Sequence, residues 1–323
     1  MKIRYFNSRF LVGVFIIIVL LLYFYGPVSQ HIYTLNPAYV FLGMATLLAI
    51  VGIKQLKWRL LLGKAAGWKL SVKSYFTGQF VNEIAPMGVG DLTKAYVIRK
   101  YSKKSFGHSL SVPYMERVID IIVLSSFAIL SSLFLFLFTI SSYVSLVFLL
   151  VAILAAGFFM LAAFPVRIAS ILKRIMEFTR KIIHTRLAEK IISKLEKFIL
   201  EVSKDFQEAV KSFGKRKTLV FAMIIMAMAD WVLEGVCQLF LLNSLGYSIP
   251  ILISVGIVSI SWLVSIPSMI PGGLGIRETI LSLLFASWGV PFSAALVSVL
   301  IYRGLVMLVF GTGALVSIRI KIC

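Results

Sequence analysis

The chain has 323 residues, 60% of them apolar and 14% charged, with 33 Lys and Arg against 13 Asp and Glu. Soluble globular domains average about 45–50% apolar and about 25% charged, so this composition excludes an ordinary soluble domain and points to a chain that meets lipid. The two cysteines, Cys237 inside an apolar run and Cys323 at the end, form neither a disulfide framework nor a metal-site pattern.

Lys2, Arg4 and Arg9 precede the apolar run from Phe10 to Tyr25, an arrangement like that of a secretory signal. Only Gly26-Pro27 follows, with no small-residue cleavage site, so a retained first transmembrane helix is expected. Further apolar runs lie at roughly 37–53, 110–140, 143–164, 218–242 and 293–317. Each is long enough for a bilayer core, which needs about 20 residues, or about 17 at the short end. They are apolar on nearly all faces, unlike the one-sided stripe of a soluble helix. Two other stretches, 74–90 and 251–288, are interrupted by Pro and Gly.

The loops 26–36, 139–143, 243–250 and 287–292 contain no charged residue. The alternate segments hold Lys54, Lys57, Arg59, Lys64, Lys69 and Lys73, then Lys94 to Lys104, the 165–217 segment, Arg319 and Lys321. Positive charge in short loops marks the cytoplasmic side, so both termini are predicted inside, with an even number of crossings. The net charge of +20 lines the membrane flank rather than a groove-reading motif. It fits attraction to anionic lipid headgroups on the cytoplasmic face, and no nucleic-acid partner is expected. Segment 165–217 carries fourteen Lys and Arg and six acids, with apolar residues at helical spacing. It reads as a cytoplasmic amphipathic helical connector packed against the bundle.

The two interrupted stretches resemble each other. Around Pro86, Gly88 and Gly90, with Asp91, and around Pro271, Gly272, Gly273 and Gly275, with Glu278, both follow Pro-x-Gly-(Val/Leu)-Gly and then an acid. An intramembrane arginine lies 31 residues beyond Pro86 at Arg117 and 32 beyond Pro271 at Arg303. Three crossings separate the motifs, and an odd number inverts the second relative to the first. The expected fold is therefore a single all-α transmembrane domain over 1–323. Six full spans are joined by two oppositely oriented re-entrant Pro-Gly hairpins, in repeat units 27–140 and 218–317. Two full spans over 251–288 remain the other option, up to eight in all. Broken helices in inverted repeats recur at transporter sites.

Seven acids lie outside the 165–217 segment: Glu83, Asp91, Glu116, Asp120, Asp230, Glu234 and Glu278. A charge at the bilayer centre costs about 2.5–3.5 kcal/mol on insertion scales, so such residues are seldom idle. Glu116 and Asp120 share one helical face, as do Asp230 and Glu234. Arg117, Arg277 and Arg303 are the candidate counter-ions, and a guanidinium suits a phosphate because its planar fork donates two hydrogen bonds together. Free backbone amides after each Pro-Gly turn would point into the same polar cavity. These ten charged residues form the predicted substrate-binding set. The three scattered histidines suggest no metal site, no catalytic constellation is present, and no phosphate-binding loop or other cofactor motif occurs.

At Asn82 to Pro86 with Gly90-Asp91, Glu116-Arg117 with Asp120, and Pro271 to Gly275 with Glu278, the chain resembles the transmembrane region of the lysylphosphatidylglycerol synthase/flippase family. That family includes stand-alone flippase-like proteins of bacteria and archaea. The resemblance implies a multi-pass protein of a prokaryotic cytoplasmic membrane that moves a charged or phosphate-bearing lipid. A phospholipid, polyprenyl phosphate or glycolipid would serve. Bifunctional members carry a synthase domain after this region; the sequence here ends at Cys323, so transport without lipid modification is expected. The other reading is a membrane subunit or enzyme of lipid-linked glycan assembly. Oligomeric state is left open.

Overall fold

The computed structural model describes residues 31, 33, 35–63, 66–85, 88–102, 104–138, 201–265 and 270–322. The expected spans 10–26 and 143–164, most of segment 165–217, and Pro86 lie outside the described residues. Every regular element among the described residues is helical.

Four helices are long and apolar enough to cross a membrane: α1 (Pro37–Leu62), α4 (Phe106–Phe138), α5 (Lys217–Asn243) and α8 (Phe292–Arg319). With 26 to 33 residues each, they reach about 39–50 Å, more than the roughly 30 Å of a bilayer core. Between them lie shorter limbs: α2 (Trp68–Ile84) with α3 (Val89–Tyr101), and α6 (Ile251–Ser265) with α7 (Ile276–Ala286). By the same rise per residue the limbs measure about 17–26 Å, against about 39–50 Å for the long helices.

The α1 helix starts cleanly, because the Asn36 side chain accepts the Ala38 amide at 3.0 Å and Pro37 takes the first turn. It runs on to Leu62 instead of stopping near 53, which draws Lys54 and Lys57 inside the helix. These two lysines, and Lys94 in α3, are therefore not flank charges. Leu56, Trp58 and Leu60–Leu62 continue the apolar pattern past them, so the bundle outbids the charge. Arg59, Lys69 and Lys73 still sit at that end of the bundle.

Neighbour pairs give the helix directions. Gly43 meets Leu241, and Lys54 meets Glu234, so α1 and α5 are antiparallel. On the other side Lys73 reaches the Ile318 and Ile320 carbonyls while Tyr75 and Phe76 meet Phe310, which makes α2 and α8 antiparallel. The α2–α3 pair begins at the end of the bundle where α1 stops, and α6–α7 begins at the end where α5 stops. Their turns then meet, the Gly272 amide donating to the Ala85 carbonyl at 3.3 Å.

The first pair is wider than the 74–90 stretch anticipated from sequence. Gly90 is not in the turn but in the first helical turn of α3, where a Cβ would lie 2.2 Å from the Gly78 carbonyl and 2.3 Å from Asn82 Oδ1. Its role is close helix approach. The second turn needs glycine for its backbone, since Gly272, Gly273 and Gly275 have φ of 56°, 65° and 79°. Residues 201–214 are helical, and Phe206 packs edge-on against Tyr114 of α4 with ring centroids 4.9 Å apart. This part of the amphipathic segment thus lies on the bundle.

Replacing Gly90 by Ala should destabilise the detergent-solubilised protein by about 1–3 kcal/mol, the usual penalty for overpacking. Gly52→Ala, whose new methyl group would meet nothing within 4 Å, should hold or raise stability. Thermal unfolding followed by intrinsic fluorescence checks both.

Candidate functional site

Charged side chains converge where the two short helix pairs meet the long spans. On α1, Lys54 and Lys57 are three residues apart and face Glu234 and Asp230, four apart on α5. Lys54 Nζ donates to Glu234 Oε1 at 2.8 Å, and Tyr302 of α8 donates to the other oxygen. Lys57 Nζ donates to Asp120 Oδ1 of α4 at 2.6 Å and to Asp230 Oδ2 at 2.8 Å. Lys57 is 1% exposed and Asp230 0%. One ammonium therefore bridges three helices.

A second group ties α3 to α4. Lys94 Nζ donates to Glu116 Oε2 at 2.8 Å and lies 3.8 Å from Asp91. Arg117 Nε donates to Asp91 Oδ2 at 2.9 Å, and Asn82 Nδ2 donates to Oδ1 at 3.2 Å. Lys94 also sits over the Trp58 ring, 4.7 Å from its centre. Glu116 and Asp120 do share a face of α4, but each answers to a lysine from another helix.

The third group joins the turns. Arg303 Nη1 donates to the Gly272 carbonyl at 2.7 Å, and Nη2 donates to the Glu83 carbonyl at 3.4 Å. Its Nη1 is also 3.7 Å from the Glu83 carboxylate and 3.6 Å from that of Glu278. A single guanidinium from α8 thus holds both turns and both of their acids. The backbone amides expected to be free are taken here. Gly275 donates to Glu278 Oε2 at 2.7 Å, Gly273 to Ile270 at 3.0 Å, and Gly272 to Ala85.

Arg277 stands apart. It is 5% exposed, yet its Nε and Nη2 have no hydrogen-bond partner. Its guanidinium lies 4.2 Å from the centre of the Trp262 ring and 5.6 Å from that of Tyr302. Trp262 in turn meets Trp231 edge-on at 5.5 Å, and both indole N–H groups also lack acceptors. All three side chains line a cavity of about 40 Å³, together with Lys54, Lys57, Glu83, Glu116, Arg117, Asp120, Glu234 and Tyr302. That space is enough for a few waters.

Of the ten predicted residues, Glu83, Glu116, Arg117, Asp120, Glu234 and Arg277 line the cavity, Asp91, Asp230 and Arg303 each pair with a lining residue on another helix, and Glu278 is held through Arg303. Pro271, Gly272 and Gly273 form the second turn and Gly275 caps α7, while Gly88 caps α3. Sequence reasoning left out Lys54, Lys57, Lys94, Trp231, Trp262 and Tyr302. The usable signal was the apolar run continuing past Lys57; the tryptophans carried none. No group of three or more metal-ligating side chains occurs among the described residues.

These features define a polytopic, all-helical membrane protein with a polar, charge-lined centre. The chain belongs to the family of the lysylphosphatidylglycerol synthase transmembrane region, whose model matches residues 10–313. A UPF0104 membrane protein of Methanocaldococcus jannaschii is 24% identical, covering 94% of this chain and 91% of its own. One from Methanothermobacter thermautotrophicus is 26% identical over 82% and 78%, and one from Pyrococcus horikoshii 27% over 68% and 67%. No solved structure matches the chain.

Removing one member of a buried ion pair leaves the other charge uncompensated, at about 3–5 kcal/mol. Lys57→Met should therefore lower the unfolding temperature strongly, and adding Asp120→Asn and Asp230→Asn to it should restore most of the loss. Thermal unfolding of the single and triple variants in detergent measures this.

Proposed function

We propose that the protein is a flippase-like transporter that carries a lipid with an anionic, phosphate-type headgroup across the cytoplasmic membrane. The observation that carries this reading is the set of four unpartnered N–H donors on one cavity wall: Nε and Nη2 of Arg277 and the indole nitrogens of Trp231 and Trp262. A buried donor without an acceptor costs about 1–3 kcal/mol. Four on one wall, all donors and none acceptors, are complementary to a group with several anionic oxygens. Membership in a lipid-synthase membrane family supports a lipid as its bearer.

In this reading the two short helix pairs are re-entrant hairpins of an inverted repeat, entering from opposite sides and meeting near the midplane. Non-helical backbone survives at that depth only when buried in protein or lining a wet cavity. Arg303 would act as the latch between the tips. When the tips part, the cavity widens toward one face, the headgroup enters, and the acyl chains stay in lipid. Reclosure and parting toward the other face would complete the transfer.

In proteoliposomes carrying a fluorescent nitrobenzoxadiazole phosphatidylglycerol, wild type should speed the exchange of label between leaflets, read by dithionite quenching. Arg277→Ala should slow it at least about tenfold, the equivalent of losing one charge-assisted hydrogen bond, and Arg277→Lys should recover part. Equal rates in wild type and Arg277→Ala would overturn the reading. For topology, a Cys-free background with Ser248→Cys should react with an impermeant maleimide from outside intact cells. Lys69→Cys should react only after lysis.

A further inference from the structure

We propose that Asp230 is a reversible proton-binding site that couples lipid movement to the proton gradient. The coupling rests on the transport reading above; the site does not.

The network among the described residues contains seven carboxylates and six basic groups. With every group ionised it holds one negative charge in excess, inside a bundle where uncompensated charge is expensive. A single bound proton makes it neutral. Asp230 is where compensation is weakest. It shares its only hydrogen-bonded cation, Lys57, with Asp120, and it is fully buried. Its second oxygen, Oδ1, has no partner at all, and among the described residues it is the one carboxylate oxygen so placed. Glu83 and Glu278 also share one cation, but Glu278 receives the Gly275 amide as well.

The groups around Asp230 define the site. From α1 come Lys57 and Lys54, from α4 Asp120, and from α2 Tyr75; Glu234 lies one turn along α5 itself, bonded to Tyr302 of α8. The α6 helix has no ionisable side chain. Lys57 and Asp120 line the cavity while Asp230 lies behind them. In the proposed relay Asp120 takes a proton from cavity water, the Lys57 ammonium hands one of its own protons to Asp230, and the amine so formed takes up the proton held by Asp120. The ammonium ends as it began, and Asp230 gains one proton. The occupied position beside Asp230 is filled by the Lys57 ammonium, which favours a proton over a sodium ion.

Two consequences follow from charge alone. Protonation leaves Lys57 paired with Asp120, so the tie between α1 and α5 slackens at this level. An anionic headgroup beside Arg277 adds a second negative charge, so headgroup and proton favour one another's binding, and by linkage the effect is reciprocal.

Infrared titration of the full chain in detergent, between about pH 5 and pH 9, tests the site. The expected result is a carbonyl band of a buried protonated carboxyl that fades as pH rises. It should vanish in Asp230→Asn, shift in Asp230→Glu and persist in Glu208→Gln, an exposed acid of the 201–214 helix outside the network. No titrating band, a band that survives Asp230→Asn, or one abolished by sodium at constant pH would overturn the site. In vesicles with nitrobenzoxadiazole phosphatidylglycerol, an imposed pH gradient should accelerate wild-type exchange, and Asp230→Asn should lose that acceleration. Exchange indifferent to the gradient in wild type overturns the coupling. No exchange at all, with the band intact, overturns the transport reading and upholds the proton site.

Discussion

Lipid offers a buried charge neither counter-ion nor hydrogen bond, so each charge in a spanning helix must find both inside the bundle. Here that constraint is met by pairing between helices rather than along them. Lys57 joins α1 to α4 and α5, Lys94 joins α3 to α4, and Arg303 joins α8 to both turns. The helix packing and the polar centre are thus one arrangement. Removing a pair disturbs both, because the same contacts that hold the spans together also line the cavity.

The short helix pairs make sense in the same terms. Their limbs are shorter than the long spans, and every helix end leaves carbonyls and amides without a partner inside the helix. Turn meets turn instead, and the loose groups are taken up by Ala85, by the Glu278 side chain and by the Arg303 guanidinium. The contact between the turns thus consists of a few hydrogen bonds between two separate elements. Arg277, with Trp231 and Trp262, stays outside this closed accounting, and that surplus of donors is what sets the wall apart from the structural ion pairs.

Much of this was legible in the residues. Long apolar runs identify four of the spans seen here as α1, α4, α5 and α8, because hydropathy over about 20 residues is a local property. The seven acids stand out for the same reason, and a spacing of four puts Glu116 with Asp120, and Asp230 with Glu234, on one helix face each. What was not legible is which cation each acid meets. Lys54 and Lys57 look like flank charges when read along the chain. Only the antiparallel α5, more than 170 residues away, turns them inward by offering Asp230 and Glu234. Gly90 looks like a turn residue beside Pro86, yet it is a packing contact with Gly78.

The sequence by itself determined a multi-pass helical membrane protein, its two Pro-Gly interruptions and the identity of its buried acids, since each depends on residues near one another in the chain. Tertiary structure decided that the interruptions touch, that three lysines rather than the arginines alone neutralise the acids, and that Arg277 is left with unused donors beside Trp262 and Tyr302. The physical reason is range. Hydropathy and turn chemistry act over a few residues, whereas ion pairing in a low-dielectric bundle acts between whichever helices the packing brings within about 3 Å.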